Sequence, residues 1–220
     1  MRYDCHVDVA SVRAGRADEG RAPPHLVLVD TVGVGGQLHQ LTRMLAGRGG
    51  HARAVAAVHA RTPPADVQAL HAHGVRAARL RVGSARGAPA LLECEMLAAR
   101  LPADWHIEVA GSLPCAARWA GVLSRIGRPV VVEIDPSGLG PTSPQQAAAL
   151  TWWLAMGNLH LKLLLACSAL ASPCASMRPL RTLLEAFPDR FLWGRGPLDA
   201  PLEAALQARL DATARRVYRF

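Results

Sequence analysis

Gly127-Arg128-Pro129-Val130-Val131-Val132-Glu133-Ile134-Asp135 is the stretch that decides the fold. From Pro129 to Asp135 it is a short run of β-branched residues, opened by Gly and Pro and stopped by Asp. That is a strand signal, too short for a helix. The segment before it, Pro114–Ile126, carries apolar residues at helical spacing and closes at Gly127. The segment after it, Pro144–Met156, does the same and closes at Gly157. Proline suits a helix's first turn, where its missing N–H costs little, and glycine suits the residue after the last turn.

The same unit recurs in both directions. Strands are predicted over Tyr3–Val9, His25–Asp30, Arg53–His59, Val75–Val82, Trp105–Val109, Leu159–Leu165 and Phe191–Gly194. Helices are predicted over Gln37–Ala46, Pro64–His73, Pro89–Arg100 and Cys174–Phe187. Strands that alternate with helices imply a parallel sheet, and eight is the number that closes a barrel. The expected fold is therefore α/β, a compact (β/α)8 TIM-type barrel forming one domain over residues 1–220. An open doubly wound sheet is the runner-up. Ala10–Pro24 is short, weakly periodic and rich in Arg and Gly, so the first helix is expected to be short or missing.

Composition narrows the function classes. No stretch reaches the roughly 18 apolar residues of a membrane span; the run Leu161–Leu170 is too short and contains Lys162. Met1-Arg2-Tyr3-Asp4 lacks the apolar core of a signal peptide, so a cytoplasmic protein without a membrane partner is expected. The formal net charge is +8, almost all of it from arginine, with Lys162 the only lysine. The arginines are scattered along the sequence and not interleaved with aromatics, so no nucleic-acid partner is expected. The five cysteines, Cys5, Cys94, Cys115, Cys167 and Cys174, form no C-x-x-C pair. They read as free buried thiols, with no zinc site among them. Val32-Gly33-Val34-Gly35-Gly36 follows a strand, but Leu38 stands where a dinucleotide loop would need its third glycine. His71 and His73 end a helix, where they favour its negative terminus. Trp152 and Trp153 read as packing or as a subunit contact, so a homo-oligomer is left open.

In a parallel barrel the chemistry lies at the C-terminal ends of the strands. His6 and Asp8 sit two apart on the first strand and so share a face. Arg79 and Arg81, His106 and Glu108, Glu133 and Asp135, and His160 and Lys162 repeat that spacing. The face against the helices must be apolar, which places these charges inside. A lone buried ammonium is costly, so Lys162 is expected to pair with Glu133 or Glu108. Paired ions that merely hold a barrel together would give the same pattern.

Several of these stretches carry a family resemblance. Asp4-Cys5-His6-Val7-Asp8 resembles the D-x-H-x-H opening of the amidohydrolase superfamily. Gly74-Val75-Arg76-Ala77-Ala78-Arg79, Trp105-His106-Ile107-Glu108-Val109 and Val131-Val132-Glu133-Ile134-Asp135-Pro136-Ser137-Gly138 resemble segments of its lactonase-like branch. So do His160-Leu161-Lys162-Leu163, Pro188-Asp189-Arg190-Phe191-Leu192-Trp193-Gly194 and Arg215-Arg216-Val217-Tyr218-Arg219-Phe220. That branch is similar to 2-pyrone-4,6-dicarboxylate lactonases. The resemblance implies water attack on a carbonyl, with a strand-eight Asp as base. Histidines of strands one and six would polarise the carbonyl or hold a metal, and arginines would bind substrate carboxylates. The sequence departs from that pattern at Asp8, at Pro136 for the strand-six His and at Gly196 for the strand-eight Asp.

The expectation is a hydrolase of the lactone or carboxylic-ester type with weakened activity on a small anionic substrate. His6, Asp8 and Asp135 would act on water and carbonyl, and Arg79, Arg81 and Arg195 would bind the anion. No metal and no cofactor are expected. The alternative is a catalytically impaired relative serving as a binding or partner subunit. Asp135 and Asp199 are the two neighbours able to take over the base role.

Overall fold

The computed structural model describes residues 3–8, 25–29, 37–81, 87–110, 121, 123–134, 144–164, 178–194 and 204–220. Eight strands appear: β1 (Tyr3–Asp8), β2 (His25–Val29), β3 (Ala52–Ala56), β4 (Val75–Arg81), β5 (His106–Ala110), β6 (Val130–Ile134), β7 (Leu159–Leu163) and β8 (Phe191–Trp193). All adjacent pairs are parallel, and the order in the sheet is the order in the sequence. A doubly wound sheet reverses direction at a switch point. This one never does, so the open-sheet alternative is set aside in favour of a TIM-like α/β fold. The sheet curls until β8 approaches β1 to within 8 Å between Cα atoms.

Six helices are described: α1 (Gln37–Ala46), α2 (Pro64–Ala72), α3 (Gly87–Arg100), α4 (Pro144–Ala155), α5 (Arg178–Ala186) and α6 (Ala204–Tyr218). The expected first helix within 10–24 lies outside the described residues, as does most of the expected helix 114–126. Two helix ends follow the glycine rule. Gly74 after α2 and Gly157 after α4 take φ of +98° and +89°, which a side chain would strain. His73 caps α2 by donating a ring N–H to the Ala69 carbonyl at 2.7 Å. Strand β3 stops at Ala56, and His59 falls instead in a turn closed by Thr62.

Alternation along the strands sorts the core into two clusters. Leu28, Ala54, Ala78, Ile107, Val132, Leu161 and Phe191 pack outward against helix residues such as Leu41, Leu70, Leu97 and Trp153. Val27, Val29, Val55, Ala77, Val131 and Leu192 face the interior, joined from below by Ala214, Val217 and Tyr218 of α6. Cys94 is a free buried thiol on α3, and burial pushes its pKa up to about 12. Trp153 is fully buried, whereas its neighbour Trp152 is 49% exposed on the outer wall. No helix among the described residues is long and apolar enough to cross a membrane.

Candidate functional site

Among the described residues, four charged side chains share the interior, one from each of four neighbouring strands: Arg79 of β4, Glu108 of β5, Glu133 of β6 and Lys162 of β7. The register makes this inevitable once the alternation is set. Arg79 lies opposite Glu108, and Glu133 lies opposite Lys162. Each of the four is buried. The Arg79 guanidinium grips both oxygens of Glu133 at 2.8 Å and reaches Glu108 Oε1 at 2.8 Å. The Lys162 ammonium, fully buried, lies 2.6 Å from Glu108 Oε1 and 3.2 Å from Glu133 Oε2. The expected pairing of Lys162 is therefore met by both carboxylates at once.

Two cations and two carboxylates cancel formally. That matters because an uncompensated ion in such an interior costs several kcal/mol. The Arg79 pKa shows the balance. Burial alone would lower it, but Glu133 and Glu108 more than offset this and raise it. A fifth group comes from the other end of the chain. The Tyr218 hydroxyl, on the last turn of α6, donates to Glu108 Oε2 at 3.1 Å.

Two imidazoles lie deeper in the same interior. His106 meets the Tyr218 ring edge-on, with centroids 4.9 Å apart. Burial, with His160 and Lys162 nearby, pushes its pKa down to about 3. Burial, reinforced by Arg190 and Arg216, pushes His160 down to about 4. Both are neutral at pH 7. They belong to the strands' first inward positions and not to the mouth.

The expected site residues divide as follows. Arg79 lies in the interior, with its terminal nitrogens bonded to Glu108 and Glu133. Arg81 is the last residue of β4, opposite Ala110. Asp8 ends β1 opposite Val29, a residue of the inner face. His6 lies within a register shift between Asp4 and Val7. The side chains of His6, Asp8 and Arg81, and all of Asp135, Pro136, Arg195, Gly196 and Asp199, lie outside the described residues. No group of three or more His, Cys, Asp or Glu among the described residues is placed to hold a metal.

Tyr218 is the interior residue that the strand-by-strand reading missed. Its signal was present. Leu210, Thr213, Ala214, Val217 and Tyr218 are the buried residues of α6, spaced by three, four and seven as one helical stripe demands.

Comparison with known proteins bears on the fold. No family model matches the chain. No curated protein matches it either. Among solved structures, a Pseudomonas putida protein provisionally named a 2-pyrone-4,6-dicarboxylic acid hydrolase superposes with a TM-score of 0.71 at 19% identity, covering 99% of this chain and 97% of that one. An Agrobacterium tumefaciens protein in its apo form gives 0.64 at 20% identity, over 90% and 80%. An Acinetobacter baumannii protein, provisionally named for the same hydrolase activity and holding citric acid, gives 0.60 at 15% identity, over 100% and 92%. The chain thus shares its fold with these proteins along nearly its whole length.

Proposed function

We propose that the chain is a hydrolase of the lactone or carboxylic-ester type, acting with weakened activity on a small anionic substrate. The site is the C-terminal mouth of a closed (β/α)8 barrel that forms one domain. The observation that carries this reading is the fold shared over 99% of the chain with a protein provisionally named a pyrone-dicarboxylate hydrolase. The citric acid in the Acinetobacter baumannii structure is a small polyanion of the same general kind.

His6, Asp8 and Asp135 are the groups that act on water and carbonyl, at the ends of β1 and β6. Each role has a physical requirement: a base must reach the proton it takes, and a developing oxyanion needs fixed positive or donor groups. Arg81 and Arg195 anchor the substrate's carboxylates. Arg79 contributes from beneath, through the network it shares with Glu108 and Glu133. The reading needs no metal and no cofactor. The weakening follows from Pro136 and Gly196, which stand where the resemblance puts a His and the base. Losing a positioned base costs on the order of a hundredfold to ten-thousandfold.

The test is hydrolysis of a panel of carboxylated lactones, pyrone types included, by the wild type, Asp135→Ala and Asp199→Ala, with metal content measured in parallel. Slow turnover that Asp135→Ala reduces by roughly a hundredfold or more is the expected result. Absence of both turnover and citrate binding would overturn the proposal.

A further inference from the structure

Arginines that are scattered along the sequence are gathered by the fold. Residues 47–53, 73–76, 101–106, 124–130, 156–159 and 187–191 lead into strands at the N-terminal end of the sheet, and 215–220 end beside them. Together these segments hold nine arginines and two aspartates, an excess of seven positive charges in a chain whose net charge is +8. Among the described residues, this excess is gathered at one end of the sheet.

The arrangement has a local cause. This is the end at which the helices stop, and a helix end leaves carbonyl groups without partners. Arg53 donates to the Gly50 and Ala52 carbonyls at 2.9 and 3.0 Å, and Arg76 to that of His71 at 2.8 Å. Arg128 donates to Pro102 and Trp105 at 2.9 and 3.0 Å. Arg190 reaches the Gly157 carbonyl at 2.5 Å, and Arg216 that of Asp189 at 2.9 Å. A carbonyl satisfies an N–H but does not cancel a charge. The two aspartates do little more, since Asp104 meets Arg76 at 3.4 Å and Asp189 is held by Arg209 at 2.9 Å. The cations are close enough to act on one another and on their neighbours. Arg53 is lowered by burial and then by Arg76, and His160 by burial and then by Arg190 and Arg216.

We propose that this N-terminal face binds the phosphate backbone of a nucleic-acid duplex without sequence preference. Guanidinium groups match phosphate oxygens, and side chains already pinned by carbonyls lose little further freedom on gripping an anion. Neighbouring strands stand about 4.8 Å apart, so arginines at several strand starts present charge as a lattice across the face. The segments offer no platform for base stacking, which favours a duplex over a single strand; the one terminal aromatic, Phe220, is covered by Arg53 at 5.2 Å. Contacts of this type position a backbone and read no bases. The scatter that argued against such a partner in the sequence does not survive folding.

The test is fluorescence anisotropy of the whole chain with a labelled duplex of about 24 base pairs, titrated across salt concentrations, a length and range suited to counterion-release slopes. Binding should weaken steeply with salt and be indifferent to duplex sequence. Arg48→Gln/Arg125→Gln/Arg219→Gln should lower the slope of log K against log salt by about 2 to 3, near 0.9 per lost phosphate contact. Arg61→Gln/Arg181→Gln, at the opposite end of the barrel, should leave affinity within about twofold, as a charge change away from the contact does. Circular dichroism verifies that both variants fold. The proposal is overturned by absence of binding at low salt, or by equal losses in the two variants. It is also overturned if polyglutamate at equal charge competes as well as the duplex, which would point to an acidic protein instead.

Discussion

Lys162→Met tests whether the interior is held by charge balance. The substitution keeps the side chain's length and apolar stem and removes only the ammonium. In the wild type that ammonium touches both interior carboxylates, at 2.6 and 3.2 Å, in a fully buried position. Without it, Glu108 keeps Arg79 and the Tyr218 hydroxyl, and Glu133 keeps the two-pronged grip of Arg79. Among the described residues the cluster then carries two carboxylates against one cation. Breaking a buried pair in this way typically costs 3–5 kcal/mol. Because Arg79 still serves both carboxylates, the lower end applies, about 3 kcal/mol. For a chain of this size that is a fall in Tm of roughly 6–12 °C. Lys162→Met/Glu108→Gln removes one charge of each sign and restores neutrality. It should recover at least about 2 kcal/mol relative to the sum of the two single losses, the range of coupling seen for groups in direct contact. Urea unfolding at neutral pH, followed by far-ultraviolet circular dichroism, measures all four corners of the cycle. A Lys162→Met loss below about 1 kcal/mol, or single losses that simply add, would refute the charge-balance argument; a loss that small is what exposed pairs give.

Three further outcomes are expected, two from the interior and one from the proposed site. Tyr218→Phe should cost about 1.5–3 kcal/mol, the usual worth of a hydrogen bond to a charged group, and equal stability of the two proteins would show that α6 is held by packing alone. Mild acid should destabilise the fold: His106 and His160 have folded values of about 3 and about 4, below the ordinary imidazole value. Their neutral forms therefore contribute stability that is complete above about pH 6.5 and is lost progressively as pH falls from there towards 4 for His160 and 3 for His106, on the order of 1.4 kcal/mol for each unit of displacement. His160→Gln should flatten that acid limb, and an unchanged limb in unfolding midpoints measured from pH 7 to 4 would assign the acid sensitivity elsewhere. Citrate binding by calorimetry should be weakened by Arg81→Gln more than by Arg61→Gln, and the reverse order would remove the β4 end from the anion site.

Which features were legible in the sequence has a physical explanation. Period-two alternation on β4 to β7 put Arg79, Glu108, Glu133 and Lys162 on one face, because a residue on that face of a parallel strand has nowhere to go but inward. The pairing of Lys162 was legible for a different reason, the cost of leaving an ammonium alone. Helix ends at Gly74 and Gly157 were legible because only glycine takes that backbone conformation cheaply. Charge placement on the outer faces was not legible. Arg53, Arg76, Arg128 and Arg190 lie far apart in sequence and reach one end of the sheet only because the strands of a parallel sheet all start on the same side. Tyr218 was hidden because its partner Glu108 is 110 residues away, and nothing local announces so distant a hydrogen bond.

The neutrality of the interior constrains the mouth above it. Arg79 is often the sort of residue assigned to hold a substrate carboxylate, but here its terminal nitrogens already hold Glu133 and Glu108. Its charge, with that of Lys162, is cancelled within a few ångströms by two carboxylates, so at the distance of a bound ligand the four-ion cluster acts as a set of opposed dipoles and not as a cation. A dianionic substrate settling over it gains little attraction from below. On the proposed reading the compensating charge comes from Arg81 and Arg195. The same logic protects the cluster. A substrate carboxylate that displaced Glu133 from Arg79 would break the buried Arg79–Glu133 pair, and leaving one ion of a buried pair behind costs about 3–5 kcal/mol. Binding to Arg79 would have to recover that penalty before yielding any affinity.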